Sequence, residues 1–279
     1  MEFSKLQGLG NDFIILDNRD NKINKENYSK VANRICTRKL SIGADGLMII
    51  EKSKVADFKM CFFNSDGTLA EMCGNGARCI VRYAYIKKIA KKTMSVETTS
   101  GIVFGEIIDK RNVKIKLNNP IDVRLNIDWE YKGRKQKISY LELGSPGVPH
   151  AICPLEFLKE EDFNGAKALR NESFFERGAN VNLYKKEDKN TLRVKTYERG
   201  VEDFTLACGT GAASTATLAV LNNIVEGPVV NILMPGGNLK VELEIINNQV
   251  LAVFLIGDTM WIADGEIKDL DFNRIIESK

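Results

Sequence analysis

Short runs of apolar residues, each ended by turn-forming residues, recur along the chain and predict strands. The run at residues 58–63, for example, ends at Asn64-Ser65-Asp66-Gly67, a sequence typical of a tight turn. In the first half such runs lie at residues 13–16, 47–50, 58–63, 94–98, 102–108 and 113–117. In the second half they lie at residues 138–143, 181–184, 191–197, 229–234, 239–245 and 250–256. The pattern therefore predicts many short strands.

Helical periodicity occurs in a few segments only. Residues 25–38 have an amphipathic pattern, and a further helix is predicted within residues 155–170. Two more helices are predicted at residues 76–88 and 209–223, and each follows a glycine-rich turn. No charged residue occurs in residues 212–221, which is typical of a helix that is buried on most sides.

The two halves of the chain repeat one another. The same offset, 135 residues, separates three pairs of landmark residues, namely Cys73 and Cys208, Gly43 and Gly178, and Gly101 and Gly236. A constant offset indicates a duplicated domain. Short strands with one apolar helix per half predict an α+β fold, in which each repeat is a mostly antiparallel sheet wrapped around a central helix. We expect a first repeat at residues 1–118 and a second at residues 119–263, with the chain end, residues 264–279, against the first.

Composition excludes several classes of protein. The chain has 279 residues, 44% of them hydrophobic, and a net charge of only +3, so neither nucleic acid nor a membrane is an expected partner. The first residues lack a signal-peptide pattern and no apolar run of about 18 residues occurs, which favours a cytoplasmic protein. Six cysteines without CxxC spacing are expected to be thiols. The single histidine, His150, excludes a multi-histidine metal site.

The sequence Cys-Gly-X-Gly-Ala occurs twice, at residues 73–77 and 208–212, each time at the start of a predicted central helix. Unpaired N–H groups and partial positive charge at a helix start stabilise a thiolate and can hold a carboxylate. A shift of the thiol pKa from about 8.5 to near 7 needs about 2 kcal/mol. Two such thiols facing one substrate, in a cleft between the repeats, could remove an α-proton from one face and return a proton to the other.

Seven motifs carry a resemblance to a known family. They are FSKLQGLGNDF, GADGL, FFNSDGTLAEMCGNGARC, GVPH, RGANVNL, YERGVEDFTLACGTGAA and MPGGNLKV. Over nearly its whole length the chain resembles the diaminopimelate epimerases. The resemblance implies interconversion of LL- and meso-diaminopimelate without pyridoxal phosphate, metal or any other cofactor. It also implies a role in the biosynthesis of lysine and peptidoglycan precursors, and a homodimer.

The resemblance also assigns residue roles. It implies that Cys73 and Cys208 are the acid/base pair, with Cys73 the donor and Cys208 the acceptor in one direction, and that His150 and Glu198 tune their pKa values. The residues implied to bind substrate are Asn11, Asn64, Gly74, Asn75, Asn180, Glu198, Arg199, Gly209 and Thr210. Arg199 is chemically suited to a second carboxylate, which it can bind through two parallel hydrogen bonds.

The chain departs from some family members at two positions. Val148 stands where they have asparagine, so a side-chain contact to substrate is lost or supplied elsewhere. Gly46 stands where they have glutamine, and no substrate role is assigned to it. Several residues also have simpler interpretations. Asn11 and Asn64 suit turns, Glu198 and Arg199 suit a surface pair, and His150 suits a structural position. The other cysteines are expected to be small core residues, namely Cys36, Cys61, Cys79 and Cys153.

Other functions stay open on the sequence alone. A racemase of the same fold could act on proline, hydroxyproline or another amino acid, although Arg199 argues for a substrate with a second carboxylate. A thiol-redox protein could use Cys73 and Cys208 as a switch, although the two cysteines lack CxxC spacing. A binding module without catalysis is the third alternative.

Overall fold

The structure, a computed structural model, describes residues 1–70, 73–144, 147–158, 163–247 and 249–268. The chain divides into two compact units. Unit 1 comprises Met1–Ile115 and Gly257–Lys279, and unit 2 comprises Lys116–Ile256. Within the described ranges, no helix has both the length and the apolar character needed to cross a membrane.

Strands dominate both units. They are β1 (Glu2–Gly8), β2 (Asn11–Asp17), β3 (Gly46–Glu51), β4 (Phe58–Asn64), β5 (Thr93–Thr98), β6 (Gly101–Ile107), β7 (Asn112–Leu117), β8 (Pro120–Tyr131), β9 (Arg134–Leu143), β10 (Val148–Pro154), β11 (Asn180–Lys186), β12 (Thr191–Glu198), β13 (Asp203–Thr205), β14 (Val229–Met234), β15 (Gly237–Ile246), β16 (Gln249–Asp258) and β17 (Met260–Glu266). The helices are α1 (Tyr28–Cys36), α2 (Gly74–Ile86), α3 (Leu155–Leu158), α4 (Phe163–Arg170) and α5 (Gly209–Leu221).

Unit 1 is a mostly antiparallel sheet in which β17, β1, β2, β3, β4, β5, β6 and β7 follow one another. Two neighbouring pairs, β2 with β3 and β4 with β5, are parallel. A parallel pair needs a crossover connection, and α1 and α2 supply these two. Helix α2 contacts β1, β2 and β6, so the sheet curves around it.

Unit 2 repeats this plan. Strand β9 is antiparallel to β10, β10 is parallel to β11, β11 is antiparallel to β12, β12 is parallel to β14, and β14 is antiparallel to β15. Helices α3 and α4 connect the first parallel pair and α5 connects the second, as α1 and α2 do in unit 1. Helix α5 contacts β9, β10, β11, β12, β14 and β15. The predicted fold class, two pseudo-symmetric α+β domains with a central helix each, is confirmed.

In each unit, the helices other than the central one, α1 in unit 1 and α3 and α4 in unit 2, pack their apolar side chains against the sheet and form a core. In unit 1 this core contains Ile14, Leu16, Val31, Ile35, Leu47 and Ile49. In unit 2 it contains Ile138, Ala151, Leu158, Leu169, Val181 and Leu183. These positions alternate along the strands and recur with helical spacing, as the sequence pattern predicts.

Several elements differ from the sequence expectation. Strands β1, β8, β10, β13 and β17 were not predicted. Strand β8 is largely exposed and β10 contains Pro149, which favours a turn in a sequence reading. The predicted helix at residues 155–170 is two helices, α3 and α4, and residues 159–162 lie outside the described ranges. The helix predicted at residues 25–38 begins at Tyr28, after a 3₁₀ turn.

The unit boundaries differ from the predicted repeats by a few residues. The division lies after Ile115 rather than after residue 118. Residues 257–263 belong to unit 1 because β17 is antiparallel to β1, with Glu2 opposite Glu266. The part of the predicted chain-end packing that concerns residues 269–279 lies outside the described residues.

Candidate active site

Cys73 lies at the start of the central helix of unit 1. It is half-buried and has an extended backbone, and Gly74 begins helix α2 directly after it. The glycine two residues further on permits close packing, because a Cβ on Gly76 would lie 2.8 Å from Met48 Cε and 3.6 Å from Phe13 Cζ. The first turn of α2 is thereby held against the apolar side chains of β2 and β3.

Two of the predicted substrate-binding amides meet at this helix start. Asn75 is buried, and its Nδ2 donates a hydrogen bond of 2.6 Å to Asn11 Oδ1. Asn11 Nδ2 in turn donates to Asp45 Oδ2 at 3.2 Å. Asn64 lies on an exposed turn at the end of β4, where its Nδ2 donates to Thr68 Oγ1 at 3.0 Å. Both Phe13 and Asn64 are opposite Gly46, so Asn11 and Asn64 lie at the same edge of the sheet.

Gly46 has no space for a side chain. A Cβ there would lie 2.6 Å from Phe62 Cε2 and 2.7 Å from the Phe63 carbonyl oxygen. Because the second of these atoms belongs to the backbone, it cannot move away easily. The glutamine that some family members have at this position is therefore incompatible with the local backbone of this chain.

Cys208 lies at the start of the central helix of unit 2, in the place that Cys73 has in unit 1. It is 8% exposed, and its Sγ accepts a hydrogen bond of 3.3 Å from the Gly211 backbone N–H. Thr210 Oγ1 lies 3.5 Å from the same sulfur. Gly209 begins helix α5 and is buried. Hydrogen bonds to sulfur from a helix start favour the thiolate over the thiol.

A buried polar cluster lies beneath this helix start. Asn182 is fully buried, and its Oδ1 accepts from Thr196 Oγ1 at 2.9 Å. Its Nδ2 donates to the Ala151 carbonyl oxygen at 3.1 Å and lies 3.3 Å from His150 Nδ1. A Cβ on Gly211 would lie 2.4 Å from Asn182 Oδ1. The cluster therefore supports the residue whose N–H binds Cys208.

His150 is neutral at physiological pH. Burial, together with the positive charge of Arg199, lowers the pKa of its imidazole to about 3. Since an amide Nδ2 can only donate, the contact with Asn182 assigns the acceptor role to His150 Nδ1 and the proton to Nε2. Among the described residues, Nε2 has no hydrogen-bond partner.

Three further predicted residues surround the end of β12. Asn180 Nδ2 donates to the Pro149 carbonyl oxygen at 3.0 Å, and Asn180 Oδ1 accepts from the Arg199 backbone N–H at 2.8 Å. Arg199 Nη1 donates to the Arg177 carbonyl oxygen at 3.0 Å. Burial raises the pKa of Glu198, which is half-buried. The Asn180 side chain is thus fixed at both ends by backbone groups.

The other cysteines have the properties of core residues. Cys36, Cys79 and Cys153 are buried, and burial raises the pKa of each of these thiols to about 12. Burial raises the pKa of the half-buried Cys61 to about 11. These four remain protonated near neutral pH and are poor acid/base candidates. Among the described residues, no group of three or more His, Cys, Asp and Glu side chains could hold a metal ion.

Sequence reasoning missed several polar residues near the two helix starts, namely Asp45, Arg78, Asn182 and Thr196. A polar residue in an otherwise apolar strand or central helix is the available signal, since a buried polar group requires partners. Asn182 interrupts the apolar pattern of β11, and Arg78 interrupts that of α2.

The duplicated fold, with a cysteine at the start of each central helix, defines a structural class that includes solved structures of low sequence identity. A solved structure from Bacillus anthracis, described as a phenazine biosynthesis protein of the PhzF family, matches with a TM-score of 0.72 at 12% identity, covering 96% of this chain and 99% of that one. A hydroxyproline epimerase from Agrobacterium vitis matches with a TM-score of 0.67 at 12% identity, covering 95% and 91%. At such identities the likeness shows the fold alone.

Sequence comparison defines the family. The family model described as diaminopimelate epimerase matches residues 3–121 and 144–262. A diaminopimelate epimerase from Aquifex aeolicus is 36% identical over 96% of this chain and 98% of its own length, and one from Hydrogenobaculum sp. is 37% identical over 95% and 98%. The chain belongs to the diaminopimelate epimerase family and is an isomerase, as the sequence motifs predict.

Proposed function

We propose that this protein interconverts LL- and meso-diaminopimelate by a two-base mechanism in which Cys73 and Cys208 exchange protonation states. One observation carries the proposal. In both repeats, a cysteine lies at the start of the central helix, each within a Cys-Gly-X-Gly-Ala sequence. Equivalent positions in a duplicated fold are suited to opposite faces of one substrate.

The proton balance is symmetrical. The thiolate of Cys208 removes the α-proton and becomes a thiol, while the thiol of Cys73 gives its proton to the opposite face of the carbon and becomes a thiolate. The stereocentre is inverted and no net proton is consumed, so the reverse reaction begins from the altered enzyme. The N–H groups of Gly74, Asn75, Gly209 and Thr210 are proposed to hold the reacting-end carboxylate and stabilise the developing negative charge.

The far end of the substrate is assigned to polar side chains from both repeats. We propose that Arg199 binds the distal carboxylate, and that Asn11, Asn64, Asn180 and Glu198 complete its recognition. Arg199 suits this role because a guanidinium matches a carboxylate with two hydrogen bonds. His150 and Glu198 are proposed to tune the cysteine pKa values, with the effect of His150 transmitted through Asn182, which contacts Gly211.

The remaining assignments rest on the family resemblance. We propose that catalysis takes place in a cleft between the repeats, without pyridoxal phosphate or metal. We further propose that the enzyme is a cytoplasmic homodimer that serves the biosynthesis of lysine and peptidoglycan precursors. We also propose that the duplicated sequence repeats span residues 1–118 and 119–263, whereas the compact units divide after Ile115 and assign residues 257–263 to unit 1.

Isotope exchange tests the function directly. The protein is incubated with LL-diaminopimelate and, separately, with meso-diaminopimelate in deuterated water, and the α-carbons are analysed for deuterium and configuration. A two-base enzyme puts solvent deuterium into the newly formed stereoisomer in both directions. Absence of deuterium from the α-carbon contradicts the mechanism. Turnover of proline or hydroxyproline with none of diaminopimelate assigns the chain to the racemase alternative.

A further inference from the structure

Helix α2 contains a completely buried arginine near its first turn. Arg78 Nη2 donates to Asn75 Oδ1 at 2.7 Å, and Nη1 donates to the Gly74 carbonyl oxygen at 3.3 Å. Among the described residues, the Nε of Arg78 has no hydrogen-bond partner. Both of the acceptors that bind the guanidinium are electrically neutral, so the hydrogen bonds only partly offset the loss of hydration.

The fold of a repeat does not require this charge. The offset of 135 residues that relates Cys73 to Cys208 places Ala213 of α5 at the position equivalent to Arg78. Ala213 is fully buried, and α5 has the same place in unit 2 as α2 has in unit 1. Burying a guanidinium between neutral acceptors costs stability, and the other repeat has no such residue. The reason for its presence is therefore sought in the hydrogen bonds that Arg78 makes.

Its hydrogen bonds begin a relay of side-chain amides. Arg78 donates to Asn75, Asn75 Nδ2 donates to Asn11 Oδ1 at 2.6 Å, and Asn11 Nδ2 donates to Asp45 Oδ2 at 3.2 Å. At the far end, Arg38 Nη2 donates to Asp45 Oδ1 at 2.9 Å. The chain of bonds runs in one direction from a guanidinium to a carboxylate.

The two charged ends fix the orientation of both amides. A guanidinium only donates, so Asn75 must turn its oxygen to Arg78 and its nitrogen to Asn11. A carboxylate only accepts, so Asn11 must turn its nitrogen to Asp45 and its oxygen to Asn75. If Arg78 is lost, Asp45 still orients the Asn11 amide, but the Asn75 oxygen loses its charged partner, so the Asn75 side chain is no longer held in place against Asn11.

We propose that Arg78 is a positioning residue for substrate binding, which holds the Asn75 side chain in place and, through it, the side-chain oxygen of Asn11. The proposal rests on the proposed function, in which Asn11 and Asn75 contact the substrate. It predicts that loss of the guanidinium weakens substrate binding although Arg78 itself lies beneath the site.

The test replaces Arg78 with a side chain of similar length and no charge. Arg78→Met is expected to raise KM for diaminopimelate about tenfold, equivalent to one lost hydrogen bond of about 1.4 kcal/mol, with a smaller change in kcat. Arg78→Lys, which keeps one donor, is expected to recover part of the loss. Arg82→Met is the matched control: Arg82 lies one turn further along α2 and binds the Thr259 carbonyl oxygen, so KM should remain near that of the wild type.

A second readout does not depend on turnover. In protein with ¹⁵N-labelled asparagine, Arg78→Met is expected to move the side-chain amide resonances of Asn11, whereas Arg82→Met leaves them in place. If Arg78→Met moves the Asn11 resonances but the wild-type protein does not epimerise diaminopimelate, the relay is retained and the proposed function is refuted. Unmoved Asn11 resonances, or an unchanged KM in folded Arg78→Met, would overturn the relay. If Arg78→Met does not fold, Arg78→Lys supplies both readouts.

Discussion

Helices α2 and α5 begin in equivalent places in the two repeats, yet different side chains pack against their first turns. In unit 1, Gly76 packs against the flexible end of Met48, and a buried guanidinium lies beside the first turn. In unit 2, Gly211 packs against Asn182 and Thr196, and the helix contains no charged residue. One repeat supports its cysteine with an apolar contact and a cation, and the other with a neutral polar cluster.

This difference shows what the duplication preserves. The backbone of a cysteine at a helix start is common to both repeats, because the helix N–H groups and the glycine that permits close packing depend only on local sequence. The side chains that surround each first turn differ between the repeats: Met48 of β3 and Arg78 of α2 in unit 1, and Asn182 of β11 and Thr196 of β12 in unit 2. The two thiols are therefore equivalent in placement and unequal in surroundings, which suits the proposed mechanism, in which they hold opposite protonation states.

The largest expected effect tests the equivalence of the two cysteines. Cys73→Ala and Cys208→Ala should each reduce kcat for epimerisation by at least about a thousandfold, because each removes one partner of a two-base reaction. The measurement is conversion of LL- to meso-diaminopimelate with purified, folded variants.

Cysteines outside the helix starts provide the controls for this comparison. Cys61→Ala in unit 1 and Cys153→Ala in unit 2 should retain turnover, since both thiols stay protonated near neutral pH and lie away from the helix starts. Full activity in either Cys73→Ala or Cys208→Ala would break the equivalence and leave a single-base mechanism.

The next effect contrasts the two glycines. Gly211→Ala should destabilise the protein by about 3 kcal/mol, at the upper end for overpacking, because its Cβ would lie 2.4 Å from Asn182 Oδ1, which is held by hydrogen bonds. Gly76→Ala meets a movable methyl group at 2.8 Å and gains up to about 1 kcal/mol in helix propensity, so its net effect should be near zero. Urea unfolding of both variants measures the difference, and equal losses would contradict it.

The same contrast explains how far the sequence could predict the structure. The doubled motif predicts both helix starts, and the offset of 135 residues predicts the repeat, because both are local patterns. The cluster beneath Cys208 depends on the register of β11 against β12, which pairs Asn182 with Thr196. Register is set by the whole sheet and cannot be read from either segment alone. Strand β8 was not predicted, although apolar residues alternate with polar ones along it at Ile121, Val123, Leu125, Ile127, Trp129 and Tyr131. Most of these side chains are exposed, so the alternation does not identify a face that packs on the core.

A smaller effect is expected within the polar cluster of unit 2. Thr196→Val keeps the side-chain shape and removes the hydroxyl that donates to Asn182 Oδ1 at 2.9 Å. The buried amide oxygen then loses this donor, at a cost of about 2 kcal/mol in the free energy of unfolding. Thr196→Ser keeps the hydroxyl and should recover most of that contribution. If chemical denaturation ranks Ser below Val, packing of the methyl group rather than the hydrogen bond is what matters.

The smallest effect concerns the free energy of unfolding at acid pH. Groups in the two units are expected to lose their contributions to it in different pH ranges. The folded pKa of His150 is about 3 against an ordinary value of 6.5, so between these values the unfolded chain binds a proton that the folded protein does not. Stability is therefore lost as the pH falls below about 6.5, by about 1.4 kcal/mol per pH unit. In unit 1, burial acts to raise the pKa of Asp12 but hydrogen bonds and charge from Lys5 and Arg38 hold it below 3.8, so its contribution is lost only below that value.

His150→Asn keeps an acceptor for Asn182 and does not titrate. The stability difference between wild type and His150→Asn, measured by urea unfolding, should shift by about 1 kcal/mol towards the variant between pH 6.5 and 5.5, because the unfolded imidazole is only partly protonated near its own pKa. A difference that stays constant over this range would mean that His150 is protonated as readily in the folded protein as in the unfolded chain, and the neutral cluster beneath Cys208 would have to be abandoned.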